Sequence, residues 1–124
     1  MTGAGATRLG FARSARLLSP SQFDAVYARR LRVGDNCFSI QAAPNALGHA
    51  RLGLSIGAKV VGNAVARNRV KRQVRESFRQ HAAGLPALDL VVGARSGART
   101  AHNAALRESL SGLWKEIQSR CKVS

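Results

Sequence analysis

The segment from Asn63 to Gly84 constrains this chain more than any other. Ala66, Val70, Val74 and Phe78 recur every four residues, a narrow apolar stripe that only a helix gathers on one side. Asn63 is placed as the cap of that helix and Gly84 as its terminator. Between Arg67 and Arg79 stand six cations (Arg67, Arg69, Lys71, Arg72, Arg75 and Arg79) against one acid, Glu76. Like charges at neighbouring positions repel one another on an isolated helix. A solvated face normally mixes signs, so solubility accounts for one or two of these residues, whereas a row of phosphates accounts for all six. Arginine suits that task because its planar fork pairs two phosphate oxygens or stacks on a base. Structural roles compete for single residues. Arg72 and Glu76 are spaced as a four-residue ion pair, and Arg67, close to the stripe by helical angle, is placed to tie the helix to neighbouring backbone.

The rest of the chain agrees with a polyanion partner. Its 124 residues suit one domain, and 20 Lys and Arg against 6 Asp and Glu leave a net charge of +14. With 45% hydrophobic residues it carries enough apolar material for a core. No long apolar run and no broad lipid-facing helix points to a membrane. The acids Asp24, Asp35, Glu76, Asp89, Glu108 and Glu116 are scattered, a thin supply for a protein-only nuclease that holds two metal ions. Cys37 and Cys121 lack metal spacing and read as reduced thiols, with a long-range disulfide as the alternative, and His49, His81 and His102 show no ligand pattern. No catalytic residue and no metal site is expected in the protein itself.

Around the basic helix the order of elements reads α-β-β-α-β-α. Residues 1–16 have no apolar h-region, so no secretory signal is expected. Their Arg-rich, acid-free composition fits either a transit peptide or a basic tail. Ser19-Pro20-Ser21-Gln22 is a capping box with proline at the first helical position, and Leu18 with Phe23 forms a hydrophobic staple. That helix is expected over about Pro20–Arg30, stopped by Gly34-Asp35. Strands are expected over Cys37–Ala42, Ala50–Ile56 and Leu88–Gly93, with Gly57–Gly62 as a connection. Gly97 to Thr100 lead into a last helix whose stripe is Leu106, Leu110, Leu113, Trp114 and Ile117. Phe23 and Tyr27 share one face of the first helix, either as packing or as rings that stack on unpaired bases. By composition alone, packing is the better account. Trp114 and Phe78 belong to the core.

From Gly62 to Glu76 the sequence Gly-Asn-Ala-Val-Ala-Arg-Asn-Arg-Val-Lys-Arg-Gln-Val-Arg-Glu closely resembles the signature helix of the protein component of bacterial ribonuclease P. Leu52-Gly53-Leu54-Ser55-Ile56 and Lys59 resemble the strand that leads into it. Phe11, Arg16-Leu17-Leu18 and Phe23-x-x-x-Tyr27 resemble the family's amino-terminal segment. Leu90-Val91-Val92 with Ala94-Arg95 matches the following strand, and Leu113-Trp114 the last helix. The resemblance covers about residues 11–117. It implies an α/β (α+β) two-layer sandwich of order α-β-β-β-α-β-α, similar to the second domain of ribosomal protein S5, with a left-handed β-α-β crossover against the usual hand. One more strand is therefore expected than the residues alone announce, from the glycine-flanked segment or a split of residues 36–56. Residues 1–15 are then a flexible basic tail, and 16–120 a single RNA-binding domain.

The same resemblance implies endonucleolytic removal of the 5′ leader from precursor transfer RNA in the bacterial cytoplasm, by a 1:1 ribonucleoprotein. Its catalytic centre belongs to the RNA subunit, with Mg²⁺ held mainly by RNA. Lys59, Arg67, Asn68, Arg69, Lys71, Arg72 and Arg75 take the positions that contact the catalytic RNA. Phe23 and Tyr27 take the 5′-leader cleft, which favours stacking over packing for these two rings. Some family members carry an aromatic near Gln41, where this chain offers only an amide. A ribosomal or ribosome-assembly RNA-binding protein is the alternative, sharing charge and size, and an architectural DNA-binding protein is a more distant one.

Overall fold

Strand β4 (Leu88–Ala94) sits at the centre of the architecture, and its sequence Leu-Asp-Leu-Val-Val-Gly-Ala is buried over its first five residues. Only a strand with neighbours on both edges and cover on a face carries so continuous an apolar run. A computed structural model describes residues 31–45 and 47–121. The expected first helix with Phe23 and Tyr27, and the basic tail, lie outside the described residues.

Three further strands, β1 (Leu31–Gly34), β2 (Phe38–Pro44) and β3 (Arg51–Ser55), complete a sheet of order β1-β2-β4-β3. β1 and β2 are antiparallel, as are β2 and β4, whereas β3 runs parallel to β4. Parallel neighbours need a long crossover. It is supplied by a one-turn helix, α1 (Ala58–Val61), and the basic helix, α2 (Ala64–His81), which ends in a 3-10 turn over Ala82–Gly84. After β4 come a second one-turn helix, α3 (Gly97–Thr100), and the long α4 (Asn103–Cys121).

The order β-β-β-α-β-α among the described residues supplies the additional strand, though not where the sequence suggested. It is β1, directly after the expected first helix. The glycine-flanked segment instead forms α1. With four residues, of which only Val33 is buried, β1 has too little alternation to announce itself. Its pairing of Val33 with Ile40 across β2 is what makes it a strand. The last helix also differs: Gly97–Thr100 is a separate turn, because Ala101 is extended, and α4 restarts at Asn103.

The core lies between one face of the sheet and the helices. Phe38, Ile40, Leu52, Leu90 and Val92 meet Val70, Val74 and Phe78 of α2 and the expected stripe of α4. Phe78 and Trp114 cross edge to face with centroids 6.0 Å apart, and the Trp114 Nε1–H donates to Ser77 Oγ at 2.8 Å. The opposite face is read across all four strands by one row, Arg32, Gln41, Val91 and Gly53. Gln41 therefore lies on the face away from α2 and α4.

Gly97 is required by a close approach. A Cβ there would stand 2.5 Å from the Asn36 carbonyl oxygen, to which the Gly97 N–H donates at 3.0 Å. Both groups are backbone, so neither yields readily. Gly97→Ala is expected to cost about 1–3 kcal/mol in a chemical denaturation curve.

Candidate nucleic-acid interface

The start of α2 is built by two local devices. Gly62 closes α1 at φ +115°, a conformation open to glycine, and its N–H donates to the Ala58 carbonyl at 2.9 Å. Asn63 then caps α2, its Oδ1 accepting from the Ala66 N–H at 2.9 Å. The first turn contains no acid. Arg67 and Arg69 thus stand near the positive end of the helix dipole, where an anion is favoured and a cation is not. Arg79, at the other end, lies in the last turn, where the dipole suits a cation.

The structure divides the seven expected contact residues into distinct situations. Lys59 on α1 and Asn68, Arg72 and Arg75 on α2 are exposed, and Lys71 is half-buried. Arg72 and Arg75 have no ion-pair partner among the described residues. The acid expected to engage Arg72 is taken elsewhere: Glu76 pairs with Arg79. Arg67 is half-buried, with a buried Nε that lacks a hydrogen-bond partner. The tie to neighbouring backbone foreseen for Arg67 is made by Arg69. Its Nη1 donates to the Ala101 carbonyl at 3.1 Å and to Asn103 Oδ1 at 2.8 Å, while Nη2 reaches the Ala98 carbonyl at 3.4 Å. These bonds fasten α2 to the break between α3 and α4. Arg69 therefore holds the interface in shape, with its guanidinium donors already largely engaged.

Three residues at this surface carry no sequence signal. Asn103 reaches Arg69, and Arg107 Nη1 donates to Gln73 Oε1 at 3.4 Å, both across more than thirty residues of chain. Asn103 and Gln73, with Val65, Asn68, Arg69 and Arg72, border a groove of about 290 Å³.

The acids of the described residues are mostly committed to internal bonds. Arg51 donates to both oxygens of Asp89, at 2.8 and 2.7 Å, and Asn45 Nδ2 donates to Oδ1 at 2.8 Å. Burial by itself would raise the Asp89 carboxyl, but these hydrogen bonds and the Arg51 charge outweigh it and hold it below its ordinary value. Asp35 behaves alike: burial raises it, and bonds from Ser109, Phe38 and Cys37 with the Arg95 charge lower it. Glu116 pairs with Arg120. No three His, Cys, Asp or Glu residues converge as a metal site among the described residues. Cys37 is a free thiol, pushed up by burial and by the Asp35 charge.

A lowered folded pKa means that, as pH falls, the unfolded chain takes up the proton first. The stability Asp89 contributes is whole above its unfolded value of about 3.9 and disappears as pH falls through the folded value. Asp89→Asn is expected to cost about 1–3 kcal/mol at pH 7. That gap closes as denaturation is repeated below pH of about 4.

A four-stranded sheet backed by two long helices, one of them bearing exposed arginines with no ion-pair partner among the described residues, defines a small α+β protein with one strongly basic helix. Comparison with known proteins narrows the class. The family model for ribonuclease P matches residues 11–118. The ribonuclease P protein component of Idiomarina loihiensis is 39% identical over 115 residues, covering 92% of each chain. That of Escherichia coli O157:H7 is 45% identical over 108 residues, 87% of this chain and 91% of the other. The solved RNase P protein of Staphylococcus aureus superposes with a TM-score of 0.76 at 31% identity, over 88% of this chain and 96% of that one. The Thermotoga maritima protein gives 0.74 at 29% identity, over 82% and 96%. This chain belongs to the ribonuclease P protein family.

Proposed function

We propose that this protein is the protein subunit of a bacterial ribonuclease P, binding the catalytic RNA through α2 and the 5′ leader of precursor transfer RNA through a separate cleft. The observation that carries the reading is the pair of exposed arginines, Arg72 and Arg75, without an ion-pair partner among the described residues, on the signature helix of a chain in this family. Phosphates are the partners such a face lacks, and neutralising them lets two polyanions, enzyme RNA and substrate RNA, approach each other. Lys59, Lys71 and the half-buried Arg67 extend the same surface. Family membership favours this reading over a ribosomal-assembly protein.

The endonuclease chemistry belongs to the RNA subunit. Of the acids described, Asp35, Glu76, Asp89 and Glu116 are bonded within the protein, and no three His, Cys, Asp or Glu residues converge among the described residues. The metal is assigned to RNA phosphates. The holoenzyme is taken as one protein with one RNA, working in the cytoplasm, and no described helix is long and apolar enough to cross a membrane.

Phe23 and Tyr27 are proposed as the leader's stacking surface. Their replacement together by Leu is expected to spare assembly with the catalytic RNA. Affinity for precursor should fall toward that for mature transfer RNA, by about 1–3 kcal/mol per stacked base. Equal affinities of variant and parent for a leader-bearing substrate would remove these two residues from the cleft. The function as a whole is tested by cleavage of a labelled precursor at low Mg²⁺, with catalytic RNA alone, protein alone, or both. Mature 5′ ends only with both establish the subunit. No stimulation of an RNA that is active at high Mg²⁺ would sink the proposal and bring a ribosomal role forward.

A further inference from the structure

The groove between α2 and the start of α4 has a chemistry more specific than positive charge. Its border combines Val65, 78% exposed, with Asn68, Arg69, Arg72, Gln73 and Asn103. Two of its amides are fixed in orientation. Asn103 Oδ1 accepts from Arg69 and Gln73 Oε1 from Arg107. A guanidinium is a donor only, so each amide must turn its oxygen toward its arginine and keep its NH₂ for another partner. The two fixed amides thus leave NH₂ donors for a ligand beside one apolar surface and no carboxylate, and Asn68, whose amide no hydrogen bond orients among the described residues, can turn its own NH₂ the same way. At about 290 Å³ it lies at the lower end of ligand-pocket sizes, roughly 300–1,000 Å³, which suits a single base better than a strand.

We propose that this groove receives one unpaired nucleobase of the catalytic RNA, and that it selects a base rich in carbonyl acceptors, guanine or uracil, over adenine or cytosine. Val65 supplies the apolar contact to the ring. The Asn103 and Gln73 NH₂ groups donate to the base edge, as paired donors do to guanine O6 and N7, while Arg72 at the rim is left for the phosphate. Adenine and cytosine place an exocyclic amine where donors already stand, leaving an NH₂ against an NH₂. The inference rests on the reading of α2 as the face that meets the catalytic RNA.

Asn103→Asp separates this proposal from simple charge. The carboxylate still accepts from Arg69 and still suits the first residue of α4, but the NH₂ donor becomes an acceptor. Gln80→Glu makes the same charge change at an exposed position of α2 outside the groove. Full-length protein is bound to the cognate ribonuclease P RNA, and every base edge is probed chemically. The parent protein is expected to protect one unpaired guanine or uracil that Asn103→Asp leaves open, with binding weakened about tenfold. Gln80→Glu should keep the protection and lose no more than about twofold. Val65→Ala, a change at an exposed site that the fold tolerates, should also reduce that protection. Replacing the protected base by adenine should reproduce the Asn103→Asp loss without adding to it.

Protection that persists in Asn103→Asp, equal losses for Asn103→Asp and Gln80→Glu, or a protected adenine or cytosine would each overturn the groove assignment while leaving the RNA interface standing. No protection anywhere by the parent protein would overturn the interface reading itself.

Discussion

Removal of both the Arg72 and Arg75 guanidinium groups is expected to weaken binding to the catalytic RNA about a hundredfold, since a hydrogen-bonded charge on phosphate contributes about 1.5 kcal/mol. The double alanine variant should also flatten the dependence of log affinity on log salt by about 1.5, two phosphate contacts at roughly 0.7–0.9 each. Both side chains are exposed, so the fold should be unaffected. Titration of labelled RNA at several salt concentrations measures both quantities. Arg79→Ala is the informative contrast, because that guanidinium already has Glu76 beside it. An unchanged salt slope in the double variant would show that these arginines do not meet phosphate. Arg69→Ala would be a poor substitute for this experiment. It frees two carbonyls and the Asn103 oxygen from their donor, so a loss of binding there would report the shape of the interface and not its charge.

Trp114→Ala should produce the largest loss of stability, about 3–5 kcal/mol, the cost of a cavity the size of an indole. Trp114 has no exposed surface, and Phe78 packs against it edge to face. Its truncation also leaves the buried Ser77 hydroxyl without the indole N–H at 2.8 Å. Trp114→Phe keeps most of the ring volume and loses only that bond, so it should retain much of the difference. Urea denaturation of the three proteins checks the order. The consequence for function follows from position. Ser77 and Phe78 lie on α2, so α4 sets the seat of the helix whose opposite side carries Arg72 and Arg75. A protein with Trp114 truncated should lose RNA affinity in step with its folded fraction, whereas the double arginine variant loses it while fully folded.

Much of this could be read along the chain because helices and central strands repeat. The four-residue stripe from Ala66 to Phe78, the Asn63 cap and the stripe from Leu106 to Ile117 all depend on neighbours within a turn or two. All appear where the sequence places them. Leu88 to Val92 likewise declares a buried strand by its own composition. β1 does not, since an edge strand of four residues takes its identity from the partner it pairs with. The same limit applied at the candidate site. Helical spacing suggested Arg72 for Glu76 and a backbone tie for Arg67, and the structure gives Glu76 to Arg79 and the tie to Arg69.

The sequence by itself determined that one helix of this protein would carry an excess of six cations over one acid, which elements would bury its other side, and to which family the pattern belongs. Only the tertiary structure decided which of those cations remain available. Arg69 is consumed by carbonyls and an amide about thirty residues away, Arg79 by a neighbour, and Arg72 and Arg75 by nothing among the described residues. The physical reason is range. Periodicity reports on groups within a helical turn, where Glu76 has both Arg72 and Arg79 in reach, whereas the hydrogen bonds that engage Arg69 are closed by segments that meet only after α4 has docked against α2.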